Sequence, residues 1–175
     1  MKRVNMKNRF GFTIIELMVA ISITAILAAI GAPSAVGYLD RKAAVDASDQ
    51  LFADIYRTKS LAIKNRALGT INFDLANQNY QITYTDTATG AVTVRPAVSF
   101  GDFRGEVRTT NDPGSGAASA AIIAFNNRGI CPAGSAGAVY LTNRGNSPVL
   151  RVRTTLAGGI SIHRWNPSTG QWTTR

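Results

Sequence analysis

The chain has 175 residues, of which 45% are hydrophobic, and a formal charge of +9 at neutral pH. This length allows one compact domain with an appended element and excludes a series of large domains, because single domains usually contain about 100 to 150 residues. The single cysteine, Cys131, excludes a disulfide bond within the chain, and we expect a buried or loop thiol and not a nucleophile.

Charged residues are unevenly distributed along the chain. Four cations precede a long apolar segment: Lys2, Arg3, Lys7 and Arg9. From Pro113 onward there is no acidic residue, while six arginines occur: Arg128, Arg144, Arg151, Arg153, Arg164 and Arg175. These arginines can attract anions, or they can simply be solvated on the faces of strands.

The apolar segment covers residues 12–32, and its only ionisable side chain is Glu16. A helix of this length spans roughly 30 Å, which matches the hydrocarbon thickness of a bilayer. The cations ahead of it predict an amino terminus in the cytoplasm and a carboxyl-terminal domain on the far side. A carboxylate within lipid costs about 2.5 to 3.5 kcal/mol at a helix centre, so Glu16 either reaches the interface or serves a function with a partner.

The run from Arg9 to Ala20, RFGFTIIELMVA, resembles the processing motif of type IV prepilins and pseudopilins. The resemblance implies that a prepilin peptidase cuts after Gly11 and methylates the new amino-terminal residue, Phe12. It also implies that Glu16 pairs with the amino-terminal amine of Phe12 in a neighbouring subunit during assembly. Residues 1–11 would then be a leader peptide, and residues 12–32 a transmembrane helix.

Residues 33–68 are predicted to continue the helix outside the membrane. Pro33 removes a backbone hydrogen bond and should kink the helix. Gly69 follows Ala67 and Leu68, and we expect it to stop the helix in a left-handed conformation. Apolar residues spaced as on one helix face should dock on the following domain: Phe52, Ile55, Tyr56, Ala62 and Ile63.

Residues 69–175 are predicted to form a β-rich globular domain, because the apolar period changes from 3.6 to 2. Ile71 to Leu75 and Tyr80 to Tyr84 should form a hairpin. Five more candidate strands follow: residues 91–95, 121–125, 138–141, 149–153 and 159–165. Because no second helical pattern occurs, the predicted class is α+β, with a long amino-terminal helix and two small packed antiparallel sheets resembling a β-sandwich.

The carboxyl-terminal half resembles one branch of this family, the GspH/FimT group. That group contains pseudopilin H of type II secretion and the minor pilins FimU and FimT. The likeness lies in residues 124–129 (AFNNRG) and 138–141 (AVYL), in a basic strand and in a hairpin that ends on a tryptophan. The disulfide-closed loop of major pilins is missing, which favours a minor subunit.

The resemblance implies a structural role in a type II secretion pseudopilus or a type IV pilus. The expected partners are other pilin or pseudopilin subunits, the prepilin peptidase and the inner-membrane assembly platform. The expected location is the inner membrane, crossed once, with the carboxyl-terminal domain in the periplasm until the chain enters a fibre. The sequence leaves the choice between the secretion pseudopilus and the pilus open.

An alternative is DNA binding in natural transformation, as in FimT-type pilins. Cations and aromatics alternate near the carboxyl terminus, which suits phosphate attraction and base stacking. The residues concerned are Arg151, Arg153, Arg164, Trp165 and Trp172. However, the Gly-Arg-x-Arg element of those pilins is here Gly-Ile-Ser-Ile at residues 159–162, without either arginine. The two tryptophans can also simply pack across a hairpin closed over residues 166–170.

The sequence offers little for catalysis. It has no zinc-ligand spacing, nucleophile elbow or Walker loop. The glycines of the loop at residues 111–119 do not open a helix, so they do not indicate a phosphate cradle. We therefore expect no enzymatic activity, no metal and no cofactor.

Overall fold

The computed structural model describes residues 12–175, so the leader and Gly11, the residue before the predicted cut, lie outside the described residues. One long helix, α1 (Ile14–Lys64), precedes ten strands and a short 3₁₀ helix, Phe100–Asp102. This arrangement confirms the predicted α+β class. The chain divides into two compact units, one through Gly37 and one from Tyr38 to the end.

The first unit, as far as it is described, is the amino-terminal part of α1. The helix begins after Thr13, whose hydroxyl accepts a hydrogen bond of 3.2 Å from the backbone N–H of Glu16 and so caps the first turn. Ser22 and Thr24 donate their hydroxyls to carbonyls four residues earlier, so neither is left unpaired in an apolar segment. The helix runs through position 33, and the kink expected at Pro33 stays a prediction.

The second unit contains two five-stranded antiparallel sheets. The strands are β1 (Ala67–Asp74), β2 (Asn79–Asp86), β3 (Val92–Val94), β4 (Val98–Ser99), β5 (Arg108–Thr110), β6 (Ile122–Phe125), β7 (Ala138–Thr142), β8 (Leu150–Thr154), β9 (Ile160–Asn166) and β10 (Gln171–Thr174). The first sheet has the order β3-β2-β1-β6, with β4 also paired to β2. The second sheet has the order β10-β9-β8-β7-β5.

The β1–β2 hairpin confirms the first strand prediction, and strands occur at each of the five later positions. The short strands β4 and β5 were not predicted. They contain two and three residues, too few to show a period of two.

The predicted helix end was wrong, because α1 ends at Lys64 and residues 67–69 already belong to β1. Arg66 takes the left-handed backbone conformation at this end, with a φ of 51°. Gly69 instead allows close packing of β1 on the helix, since an added Cβ would lie 2.9 Å from Cγ2 of Thr58. The glycine is required for contact between strand and helix, and not for a cap.

The core of the second unit lies between α1 and the inner faces of both sheets. Apart from the adjacent Ala47 and Ser48, the fully buried residues of the helix follow one another at separations of three or four: Ala44, Ala47, Ser48, Leu51, Ile55, Thr58 and Ala62. The predicted docking face was therefore partly wrong: Ile55 and Ala62 are buried, but Tyr56 is 60% exposed. From the sheets, the core contains Ile71, Ile82, Ile123, Phe125, Val139, Leu141, Leu150 and Val152.

One carboxylate, that of Asp54, is buried where the helix meets the first sheet. It accepts hydrogen bonds from the hydroxyl of Tyr80 at 2.6 Å and from the side-chain amide of Gln50 at 3.1 Å. Burial and the adjacent carboxylate both raise the pKa of Tyr80, so this residue keeps its proton and remains the donor. These bonds satisfy a polar group that would otherwise destabilise the core.

A second close contact joins the carboxyl-terminal end of α1 to two loops. Lys59 donates a hydrogen bond of 2.8 Å to the carbonyl of Gly158, in the turn between β8 and β9. Gly158 lies directly against the carbonyl of Gly129, in the turn after β6, and Gly129 packs against Ile63. We call Lys59, Ile63, Gly129 and Gly158 the helix-end junction. Both glycines have positive φ values, 74° and 79°, which L-residues rarely adopt.

Candidate functional site

The first candidate site is the start of the described chain, from Phe12 to Glu16. Phe12 is 82% exposed, and Glu16 lies in the exposed first turn of α1. A carboxylate at this end is favoured by the helix dipole. Within residues 12–175, the Glu16 carboxylate makes no ion pair and no hydrogen bond. Glu16 therefore has no counter-charge within this part of the chain.

The helix surface around Glu16 is apolar and uncovered. The large exposed apolar residues of this segment are Phe12, Ile14, Ile15, Leu17, Met18, Val19, Ile21, Ile23, Ile26, Leu27 and Ile30. The helix is long and apolar enough to cross a membrane. An apolar surface of this extent is unfavourable in water and indicates contact with lipid or with other protein chains.

The second candidate site is the outer face of the second sheet, where Arg151, Arg153 and the two predicted tryptophans lie. Trp165 of β9 is directly opposite Trp172 of β10, and their rings meet edge to face with centroids 5.3 Å apart. Tyr140 of β7 packs on the same Trp172 ring at 5.7 Å. The guanidinium of Arg151 lies 4.4 Å above the Trp172 centroid, within the range of a cation–π interaction.

Asp112 joins this aromatic cluster to the loop at residues 111–119. Its carboxylate accepts hydrogen bonds from the Trp172 indole and from the Tyr140 hydroxyl, both at 3.3 Å. It also accepts bonds from the backbone N–H of Gly114 and from the hydroxyl of Ser115, both at 2.9 Å. Burial would raise the pKa of Asp112, but these hydrogen bonds outweigh it and lower the pKa. The carboxylate is therefore ionised at neutral pH and holds the loop on the sheet.

His163 lies directly opposite Arg151 on the same face. Burial lowers the pKa of His163, and the charges of Arg151 and Arg153 lower it further. The imidazole is therefore neutral at pH 7. Nδ1 of His163 and Nε of Arg151 are buried without a hydrogen-bond partner among the described residues. Because the imidazole is neutral, His163 adds no like charge opposite Arg151.

The structure does not bring the predicted DNA-binding residues together on one surface. Arg151 and Arg153 alternate with the buried Leu150 and Val152 and therefore lie on the outer face of β8. Arg164 is paired with Leu150 across the β8–β9 ladder, so it lies on the opposite face of the sheet. The two tryptophans have the cross-strand packing that was the predicted alternative to a stacking platform.

Sequence reasoning missed Asp112 and Tyr140 as members of this cluster. The run Asp-Pro-Gly-Ser at residues 112–115 is a turn signal with a carboxylate at its first position. It predicts the local bonds to Gly114 and Ser115. The contacts with Tyr140 and Trp172 join residues distant in sequence and leave no local signal.

The described residues contain no group of three or more His, Cys, Asp or Glu side chains that could hold a metal ion. Cys131 is buried, as predicted. Burial raises the pKa of the Cys131 thiol, with a smaller opposing effect of Lys59. The thiol is therefore protonated at neutral pH.

Comparison with known proteins identifies the amino-terminal segment. A family model described as the prokaryotic N-terminal methylation motif matches residues 6–32. No curated protein and no solved structure matches the chain. The matched motif contains Gly11, Phe12 and Glu16 and supports a type IV pilin-like protein.

Proposed function

We propose that this chain is a minor pilin or pseudopilin that is cut between Gly11 and Phe12 and methylated at Phe12. In this proposal residues 1–11 are the leader, residues 12–32 span the inner membrane, residues 33–68 continue into the periplasm, and residues 69–175 form the globular domain. The observation that carries the proposal is the methylation motif followed directly by a helix with uncovered apolar side chains and an unpaired Glu16.

The charges of this segment support a specific way in which subunits would assemble. Cleavage after Gly11 would create an α-amine at Phe12, four residues before the Glu16 carboxylate. A buried charge is tolerated when an opposite charge and hydrogen bonds meet it. The amine of one subunit and the Glu16 carboxylate of the next satisfy each other, while the apolar helix surfaces pack together. The pair sets the axial register of neighbouring helices.

The proposal also names the assembly system that the chain serves and the proteins that it contacts. The chain serves a type II secretion pseudopilus or a type IV pilus as a member of the GspH/FimT group. Its partners are other pilin-like subunits, the prepilin peptidase and the inner-membrane assembly platform. Its role is structural, in assembly, secretion or pilus formation, and includes no reaction of its own.

Processing is the direct test of this function. When the chain is co-expressed with a prepilin peptidase, we expect a product that begins at Phe12 and carries one added methyl group, as measured by intact-protein mass spectrometry. Gly11→Leu should abolish this product, because a side chain at Gly11 would obstruct a narrow catalytic groove.

Gly31→Leu is the matched control, because a Cβ at Gly31 has nothing within 4 Å. This variant should be cut normally. A product beginning near residue 33, at the end of the apolar segment, would instead indicate an ordinary secretory signal and would contradict the proposal.

DNA uptake stays an alternative prediction for the outer face of the second sheet. Because Trp172 packs on both Trp165 and Tyr140, we expect no base stacking on the two tryptophans. Full-length protein in detergent should therefore bind single-stranded DNA no better than it binds another polyanion, heparin, in titrations at two salt concentrations. Salt-sensitive binding that is specific for DNA, lost in Arg151→Ala/Arg153→Ala and kept in Arg128→Ala/Arg164→Ala, would favour the DNA-uptake alternative.

A further inference from the structure

A cleft of about 670 Å³ opens at one end of the second sheet, where the chain leaves β5, enters β8 and leaves β9. Its volume lies in the range of small-molecule sites in proteins, about 300 to 1,000 Å³. One part of its lining is apolar: Trp165, Val149, Pro113, Pro148 and Pro167. Every lining residue belongs to the second unit. We call this feature the Trp165 cleft.

The Trp165 ring is held in place by its neighbours. The loop backbone touches it at Gly114, where an added Cβ would lie 3.0 Å from Cη2 of the indole. Trp172 meets the ring edge to face at 5.3 Å. The backbone N–H of Trp165 donates a bond of 3.0 Å to the carbonyl of Val149 and so fixes the end of β9 beside β8. A ligand would therefore find the ring already ordered, which reduces the entropic cost of binding.

The rest of the lining includes five polar side chains: Thr110, Asn111, Asn146, Ser147 and Arg164. Among residues 12–175, only Asn146 of this set has a side-chain hydrogen bond, which its carbonyl oxygen accepts from Arg108 at 2.9 Å. The bonds of Thr110, Ser147 and Arg164 involve backbone atoms alone. The cleft thus presents hydroxyl, amide and guanidinium groups that together can donate and accept several hydrogen bonds.

This lining favours one class of ligand. Within the described chain, none of the residues that line the cleft is acidic, which is unsuited to a metal ion such as calcium. A single indole does not form the row of aromatic rings that binds proline-rich peptides. A sugar ring suits the cleft better, because its C–H face can lie on the negative face of an indole while its hydroxyls exchange hydrogen bonds with amide and hydroxyl groups.

Arg164 adds a preference for negative charge. It is exposed, and its guanidinium makes no ion pair with any residue of the described range. A guanidinium with its full set of donors can bind a carboxylate through two parallel hydrogen bonds. The preferred sugar should therefore carry a carboxylate.

We propose that the Trp165 cleft binds a short acidic saccharide, a sugar chain that carries a carboxylate. One sugar ring lies on the Trp165 indole, and the side chains of Asn111 and Ser147 bond to its hydroxyls. Arg164 binds the carboxylate. The site lies wholly in the second unit and does not depend on processing at Gly11.

The test is isothermal titration calorimetry on full-length protein in a detergent without a sugar headgroup. The acidic probes are trigalacturonate and sialyllactose, and the neutral probes are maltotriose and lactose. We expect at least one acidic probe to bind about tenfold more tightly than both neutral probes, because a hydrogen bond to a charged group contributes more than one between neutral groups. Binding of neither acidic probe would overturn the proposal.

Two variants separate the contributions of charge and of neutral hydrogen bonds. Arg164→Ala should weaken binding of the acidic probe about tenfold, to the level of the neutral probes. Asn111→Ala should weaken it about fivefold and keep the preference over neutral probes. The matched controls are Arg153→Ala, on the other face of the sheet, and Asn127→Ala, an exposed amide outside the cleft. Both should leave binding unchanged.

Each other outcome contradicts the proposal. Equal binding of acidic and neutral probes would exclude recognition of the carboxylate. An equal loss in Arg153→Ala would show general charge attraction without a site. Acetate that displaces the acidic probe completely at low millimolar concentration would identify a site for carboxylate alone. Binding of an oligonucleotide or a proline-rich peptide, but of no saccharide, would assign the cleft to nucleic acid or to protein.

Discussion

Replacement of Glu16 by leucine is expected to leave membrane insertion and cleavage intact and to remove the chain almost completely from assembled fibres. Leucine suits the bilayer better than a carboxylate, so the span itself should be stabilised. The amine at Phe12 of the adjacent subunit, however, would be buried without a partner. Breaking a buried ion pair in this way costs about 3 to 5 kcal/mol, which corresponds to a loss of incorporation of more than about 100-fold.

The measurement is the amount of this chain in sheared or co-purified fibres relative to the amount in membranes. Glu16→Gln should fail as strongly as Glu16→Leu, because it keeps the size but not the charge. Thr24→Leu is the control within the same helix: the Thr24 hydroxyl bonds only to the carbonyl of Ala20, so its removal should leave incorporation normal. Normal incorporation of both Glu16 variants would show that no such pairing operates.

The helix-end junction gives the largest expected effect on stability, through Gly158→Ala. The added Cβ would lie 1.9 Å from the carbonyl oxygen of Gly129, a backbone atom that cannot rotate away. The residue also has a φ of 79°, where a side chain costs about 1 to 2 kcal/mol. Overpacking adds typically about 1 to 3 kcal/mol. Separation of the two turns would also weaken the bond from Lys59, so we expect thermal unfolding about 10 °C lower.

Gly170→Ala is the matched control for this substitution. Gly170 also has a positive φ, 63°, but a Cβ there has nothing within 4 Å. In this variant the free energy of unfolding should fall only by the cost of a side chain at positive φ, about 1 to 2 kcal/mol. Thermal unfolding followed by circular dichroism on full-length protein in detergent compares the two. If both variants lose the same stability, the contact between Gly158 and Gly129 contributes nothing beyond the backbone conformation.

The fold was largely predictable where the signal is local. The apolar segment, the β1–β2 hairpin and the later strands follow from residue periods within short windows. The error at the end of α1 has a different origin. Ala67, Leu68 and Gly69 have no local feature that distinguishes a helix stop from the start of a strand. Contact between Gly69 and Thr58 decides in favour of the strand.

The candidate sites also differ in whether local sequence was enough to predict them. The motif containing Gly11, Phe12 and Glu16 is a contiguous run, and its meaning does not depend on the rest of the fold. The cations near the carboxyl terminus are different, because alternation along a strand assigns them to faces only when the strand register is known. Arg151 and Arg164 looked equivalent in sequence and lie on opposite sides of one sheet.

The sequence by itself determined that this protein carries a pilin-like amino-terminal methylation motif, an apolar helix with one carboxylate and a β-rich remainder. Each of these is encoded in neighbouring residues, through charge, hydropathy and period. Only the tertiary structure decided that Arg151 and Arg164 lie on opposite faces of one sheet and that Trp165 and Trp172 pack into a cluster. It also showed that Asp112 holds its loop on the sheet by bonding to Trp172, sixty residues away. Contacts of this kind depend on strand order and register, which many residues set together.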